Sequence, residues 1–203
     1  MKVKHIYSHL NGLEWIKFHK MNLWEEILES IKNVDPEICK NKISNEKTMR
    51  GRVLYSPPTM NNEIKKELVK RGWSEERINY YVTDNEDVTS DIINLDENEQ
   101  KEKILSNNLT PIHSYHQTDF VKDKVSIEVQ FGKYPFIEFD LFVKHLGFYH
   151  SKKIDLGVEI VPTKNLQGQM SSGPGYYERT LTHILRNGRG TPPVPLILIG
   201  IEN

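Results

Sequence analysis

The sequence predicts a mixed α/β fold, with a central mixed β-sheet flanked by helices and additional helices toward the N-terminus. Three observations predict it. Between Asn11 and Asn33, Leu13, Ile16, Leu23, Ile27 and Ile31 share one stripe at helical spacing. From Gln117 to Phe131, β-branched and aromatic residues flank the tight polar link Lys122-Asp123-Lys124, a hairpin pattern. Leu196 to Ile201 is a continuous apolar run, as in a strand buried on both faces.

The elements follow in chain order. The Asn11–Asn33 stripe predicts a helix broken near Met21-Asn22, and Val34 to Pro58 is polar and loop-rich, with turns at Asp35-Pro36 and Pro57-Pro58. Asn61 to Arg71 reads as an amphipathic helix ending before Gly72. The acidic stretch 84–102 marks a solvated surface, with a helix near Glu97 to Leu105. Asp119–Val121 and Val125–Phe131 are strands, Phe136–Tyr149 a helix preceded by Pro135, and Ile154–Val161 a strand. Gly175–Arg186 is a helix ending at Asn187-Gly188, and Leu196–Ile201 closes the set as a strand. We expect one domain over 1–203, a helical part to about residue 110 and a core from about 111 onward.

Composition excludes several classes of function. A lone Cys39 among 203 residues leaves no disulfide framework and no multi-cysteine zinc site. The eight histidines lack a cysteine partner or a Glu-x-x-His pattern. No segment approaches the 18 or so apolar residues that cross a bilayer, and Met1 to His5 leads into a polar stretch, so a cytoplasmic protein without a membrane partner is expected. Net charge is −1, so any polyanion must be met by segregated charge; residues 119–190 hold ten Lys/Arg against eight Asp/Glu.

The chemistry concentrates in Thr118 to Gln130. Side chains two apart on a strand share a face, so Glu128 and Gln130 project together while Ile127 and Val129 point the other way. The hairpin brings Asp119 alongside Glu128. Two carboxylates, an amide and a neighbouring carbonyl form an oxygen-rich set suited to a hard divalent cation such as Mg²⁺, which activates water against a phosphodiester. An acidic pair across a hairpin is in most proteins only a solvated sheet face. Here, however, Phe131-Gly132-Lys133-Tyr134-Pro135-Phe136 follows at once, setting aromatic residues and a lysine beside the carboxylates.

The spacing of Asp119 from Glu128-Val129-Gln130-Phe131 resembles the active-site segment of the PD-(D/E)XK nuclease superfamily. Its glutamine in place of the usual lysine resembles the BglII and BstYI type II restriction endonucleases. The likeness runs from Tyr7-Ser8-His9-Leu10-Asn11-Gly12 through Asp140-Leu141-Phe142-Val143-Lys144-His145 and Met170-Ser171-Ser172-Gly173 to Leu198-Ile199-Gly200-Ile201. It implies a restriction-endonuclease core and a homodimer on double-stranded DNA, cutting R/GATCY to leave 5′ GATC overhangs with Mg²⁺ as cofactor. It further implies Asp119, Glu128 and Gln130 as catalytic residues, with Asp119, Glu128 and the Val129 carbonyl as metal ligands. Thr118 stands where the superfamily pattern has proline. Gln130 is the larger departure, because a neutral amide orients water but brings no positive charge. Asn107 and Asn108 are candidate counterparts of an asparagine that BglII carries upstream of the aspartate.

The resemblance also implies base reading by Lys133, whose single donor at N7 accepts either purine, and by Ser171, Ser172 and Gly173 on the loop before the Gly175 helix. That loop lacks the Gly-Lys-Ser/Thr ending of a phosphate loop, so no nucleotide cofactor is expected. Arg186 and Arg189 are candidate clamps on the DNA backbone. Two rival readings share the fold: a DNA-binding module that has lost catalysis at Gln130, and a repair-type nuclease without base specificity.

Overall fold

The structure, a computed structural model, describes residues 1–203. Its strands are β1 (Lys2–His9), β2 (Lys42–Ile43), β3 (Val53–Leu54), β4 (Ser74–Val82), β5 (Ile112–Lys122), β6 (Val125–Val129), β7 (Leu156–Pro162) and β8 (Leu196–Glu202). The helices are α1 (Gly12–His19), α2 (Met21–Lys32), α3 (Pro36–Cys39), α4 (Pro57–Lys70), α5 (Glu86–Ile92), α6 (Glu97–Ser106), α7 (Tyr134–Phe139), α8 (His145–His150), α9 (Lys164–Gln167) and α10 (Tyr177–Arg186). A π-helical turn, Asp140–Lys144, joins α7 to α8.

Six strands form one sheet in the order β1-β8-β7-β6-β5-β4. The pairs β6–β7 and β7–β8 are parallel and the other three antiparallel, so the sheet is mixed. All of β6 and β7 and nearly all of β8 are buried. Alternation divides their side chains. Val125, Ile127 and Val129, with Leu156, Val158 and Ile160 and with Ile197, Ile199 and Ile201, join a core made with α1, α2 and α4. On the other face Val161, Leu196 and Leu198 pack with Ile137, Leu141, Tyr177 and Ile184 from the α7–α8 segment and α10.

The helical stripe read between Asn11 and Asn33 is the pair α1 and α2, interrupted at Lys20, with Ile16, Leu23, Ile27 and Ile31 buried. Four strands come from the part of the chain expected to be helical: β2 and β3, which pair only with each other, and β1 and β4, which join the main sheet. β1 and β4 are the edges of the main sheet, each paired on one side only. Edge strands carry charge and lack a continuous apolar run, so nothing in Lys2–His9 or Ser74–Val82 announces burial. The acidic stretch forms α5 and α6, whose Val88, Ile92 and Ile104 make a small separate core against Tyr81 of β4. A capping box between Asp96 and Glu99 starts α6. No helix is long and apolar enough to cross a membrane.

Gly157 sits where β7 passes beneath the second layer. A Cβ there would lie 2.6 Å from His145 Nδ1 and against Leu196. Neither neighbour has room to move in a packed interior, so Gly157→Ala should cost about 1–3 kcal/mol by equilibrium denaturation.

Candidate active site

The β5–β6 turn is tight: Asp123 and Lys124 both have positive φ, 46° and 64°, as in a two-residue hairpin turn of the primed type. The register pairs Phe120 with Ile127, and one step further along places Asp119 opposite Glu128. Asp119 Oδ2 accepts the Val129 amide at 3.3 Å. A strand residue directs its N–H and C=O to the same edge, so the Val129 carbonyl also faces Asp119. Asp119 and Glu128 thus face one another across the strand pair. Gln130 is anchored by its main chain to β7 (N–H to the Ile160 carbonyl, 2.9 Å). Its side chain is held at both ends: Oε1 accepts the Gly132 amide at 2.9 Å and Nε2 donates to Asp140 Oδ2 at 3.1 Å.

An acidic residue on a hairpin face is in most proteins exposed to solvent, but Glu128 is not. It is 2% exposed, because the π-helical turn and α8 cover that face with Lys144 and His145. Lys144 Nζ lies 2.8 Å from Glu128 Oε2 and 2.8 Å from Asp140 Oδ1. Parallel pairing sets Glu159 of β7 beside Glu128. Glu159 is fully buried, and His145, whose Nδ1 lies 3.0 Å from Ser126 Oγ, approaches it at 3.4 Å through Nε2.

Burial, then the charges of Asp119 and Asp140, push the Glu128 carboxyl up to about 8. Burial raises Glu159 well above the usual carboxylate range, with Asp140 and Glu128 adding to the effect. Asp119 forms the wall of an open cleft and is exposed as a residue, but burial of its carboxylate still raises it, against the pull of Lys144 and the Val129 amide. Burial works against the charge of Lys144, yet Glu128 and Asp140 outweigh it and hold the ammonium above its ordinary value. His145 is pushed down to about 3 by burial and then by Lys144, so its imidazole is neutral beside the raised Glu159 carboxyl.

A divalent cation fits the donors present. They are oxygens only, and Glu128 Oε1 is buried without a hydrogen-bond partner. No cage of three His, Cys, Asp or Glu side chains is preassembled; the set is two carboxylates and a main-chain carbonyl.

Two clefts flank these groups. One, of about 270 Å³, is lined by Asp119, Val129, Asn61, Asn62, Lys65 and Glu75. The other, about 600 Å³, lies beside Gln130, Asp140, Lys144, Phe136, Phe139 and Tyr115. Asn61 Oδ1 is buried and unpartnered. Asn107 caps α6, with its side chain on the Lys103 carbonyl, and neither it nor Asn108 lines these clefts. The asparagines beside Asp119 therefore come from α4.

Lys133 and the Ser171–Gly173 loop are brought together. Lys133 forms a bridge with Pro174, and Tyr134 N–H donates to the Gly173 carbonyl at 3.1 Å. Gly173 has φ 119°, a conformation that suits glycine. Ser172 N–H is held by Glu46. Arg179 stacks over the Tyr134 ring at 4.0 Å and so stands at this cluster. Arg186 and Arg189 do not join it: they lie at and beyond the far end of α10, a helix about 15 Å long. Asp140, Lys144, Glu159, Asn61 and Asn62 escaped the sequence reading. Only Glu159 carried a signal, a lone acid inside the apolar run Leu156 to Pro162.

The fold is that of a restriction endonuclease. The chain superposes on the crystal structure of restriction endonuclease BglII complexed with a DNA 16-mer with a TM-score of 0.67 and 22% identity, covering 100% of this chain and 78% of that one. Free BglII matches with a TM-score of 0.60 and 21% identity, covering 100% and 81%. Comparison with curated protein sequences gives no match. The model of the restriction endonuclease BglII/BglIII family matches residues 4–201, and the chain belongs to that family of DNA-cleaving enzymes.

Burial raises the proton affinity of Glu159 in the folded protein, whereas the unfolded chain loses that proton in the ordinary carboxylate range. Folding must then hold a proton that the unfolded chain gives up, a penalty that grows as pH rises toward the folded-state value. Glu159→Gln should therefore raise the Tm of the metal-free protein by a few degrees, with a gain larger at pH 8 than at pH 6 by differential scanning calorimetry.

Proposed function

We propose that the protein is a type II restriction endonuclease that hydrolyses double-stranded DNA at R/GATCY, leaves 5′ GATC overhangs, and acts as a cytoplasmic homodimer with Mg²⁺. The observation that carries this reading is the meeting of Asp119 and Glu128 at one end of a hairpin, with a buried Glu128 oxygen left unpartnered. In this reading Asp119, Glu128 and the Val129 carbonyl hold the cation. When bound, a divalent cation supplies positive charge against the phosphate and makes water a better nucleophile at neutral pH.

The remaining work belongs to the chain. Gln130, fixed by Asp140 and Gly132, keeps one amide hydrogen free to orient the attacking water. Asn61, which lines the Asp119 cleft and whose Oδ1 is without a hydrogen-bond partner, offers a further acceptor beside the site. Lys133 is exposed and has no protein partner, which leaves its ammonium for a purine N7 at the outer base pair; A and G both present that acceptor, giving R. Ser171, Ser172 and Gly173 offer hydroxyls and a close main-chain approach to the inner bases, and Arg186 and Arg189 reach the DNA backbone farther out. A palindrome cut on both strands by a chain with one site calls for two copies related by a two-fold axis.

Digestion of a fully sequenced plasmid with Mg²⁺, followed by mapping of the ends, should give discrete fragments with GATC overhangs. A smear would favour a nuclease without base specificity, and no cleavage with Mg²⁺ or Mn²⁺ would favour a binding module. Glu128→Ala should retain sequence-specific binding in a gel-shift assay while losing cleavage by more than about a hundredfold.

A further inference from the structure

Lys144 belongs to none of the roles above, yet it is the one cation acting strongly on the acidic cluster of Asp119, Glu128 and Glu159. Its ammonium binds one oxygen of Glu128 and one of Asp140, each at 2.8 Å, from a side chain only 14% exposed. The other Asp140 oxygen takes the Gln130 amide at 3.1 Å. The four side chains form one chain of contacts: Glu128, Lys144, Asp140, Gln130.

We propose that Lys144 is a positioning residue of the cleavage reaction, fixing the Glu128 carboxylate directly and the Gln130 amide through Asp140. The inference rests on the nuclease reading of the site. Two arguments support it. A buried ion pair generally adds little stability over an apolar pair of similar volume, so an ammonium in this place is poorly explained as a structural strut. The contacts also leave a particular remainder. Lys144 occupies Oε2 of Glu128 and leaves Oε1 without a partner; Asp140 and Gly132 take the two ends of the Gln130 amide and leave one N–H unused. One free acceptor and one free donor thus remain where cation and water are to sit. Without Lys144, Asp140 has no counter-charge, and both carboxylates become free to turn.

Lys144→Met keeps the length of the side chain without its charge, and Lys144→Arg keeps the charge. For Lys144→Met, DNA affinity in Ca²⁺ should stay within about threefold of wild type. Single-turnover cleavage in Mg²⁺ should fall about 10- to 100-fold, as expected for loss of a group that orients ligands. Lys144→Arg should recover part of the rate. In the metal-free protein, the Gln130 side-chain amide signals in a ¹⁵N-correlated NMR spectrum should shift and lose exchange protection in Lys144→Met while the backbone spectrum stays dispersed. The combination Lys144→Met with Gln130→Ala should cost no more than the worse single change. A wild-type rate for Lys144→Met, or an unmoved Gln130 signal with fully additive losses, overturns the proposal. If Lys144→Met fails to fold, Asp140→Asn removes the linking charge at constant size and is read by the same measurements. Wild-type protein inert on every duplex would defeat the nuclease reading itself; active wild type with an equally active Lys144→Met defeats only this inference.

Discussion

Four acidic side chains, Asp119, Glu128, Asp140 and Glu159, crowd one face of the sheet around a single ammonium. Two unit charges 4 Å apart interact by about 4 kcal/mol at an effective dielectric of 20, so crowding of like charges on this face has a cost that the fold must offset. The protein settles the imbalance in three ways. Burial raises the proton affinity of Glu159, Lys144 pairs with Asp140 and one side of Glu128, and the rest of the strain appears as the high proton affinity of Glu128. Negative charge left over at the Asp119–Glu128 junction makes added positive charge favourable there. The preference for a cation is therefore a property of the folded charge distribution as well as of the donor types.

The chemistry and the base reading stand on supports of different stiffness. Glu128 rises from the middle of a strand buried on both sides, and Gln130 is tied to the next strand by its main chain. Lys133 and Ser171 to Gly173 sit on exposed connections, joined to each other by a bridge of two main-chain hydrogen bonds. Reactive groups need fixed geometry, whereas contacts to bases vary with the target and are best carried on segments that can change without disturbing the core. Placing the two sets on either side of Gly132 keeps them close while leaving each its own support.

The sequence made local geometry legible and left long-range geometry unreadable. Asp119 and Glu128 could be paired on paper because a tight turn and a period of two determine which side chains meet across a hairpin. The central strands were visible as apolar runs, while β1 and β4 were not, since edge positions place no apolar demand on both faces of a strand. Asn61 reaches Asp119 from a helix more than fifty residues earlier, and no pattern within α4 records that arrival. Asp140 and Lys144 looked like ordinary helix charges. Four residues apart, they could have pointed to solvent; only the packing of their helix on β6 and β7 turns them inward. Glu159 was the one legible omission, since an acid in a strand of this kind needs a reason to be there.

The widened turn between α7 and α8 has a consequence for how this family can change. A π-helical turn holds one residue more than an α-helical turn over the same rise, and such insertions occur mostly at functional sites. Here it lets Asp140, Lys144 and His145 all face inward while Ile137 and Phe148, on either side, stay in the core. Deleting one residue would restore regular winding and rotate everything beyond it by roughly 100°. Either the ammonium or the Phe148 anchor would then swing outward. Length in this segment is thereby locked, and homologues free to vary at individual positions should still keep the residue count between Pro135 and Phe148.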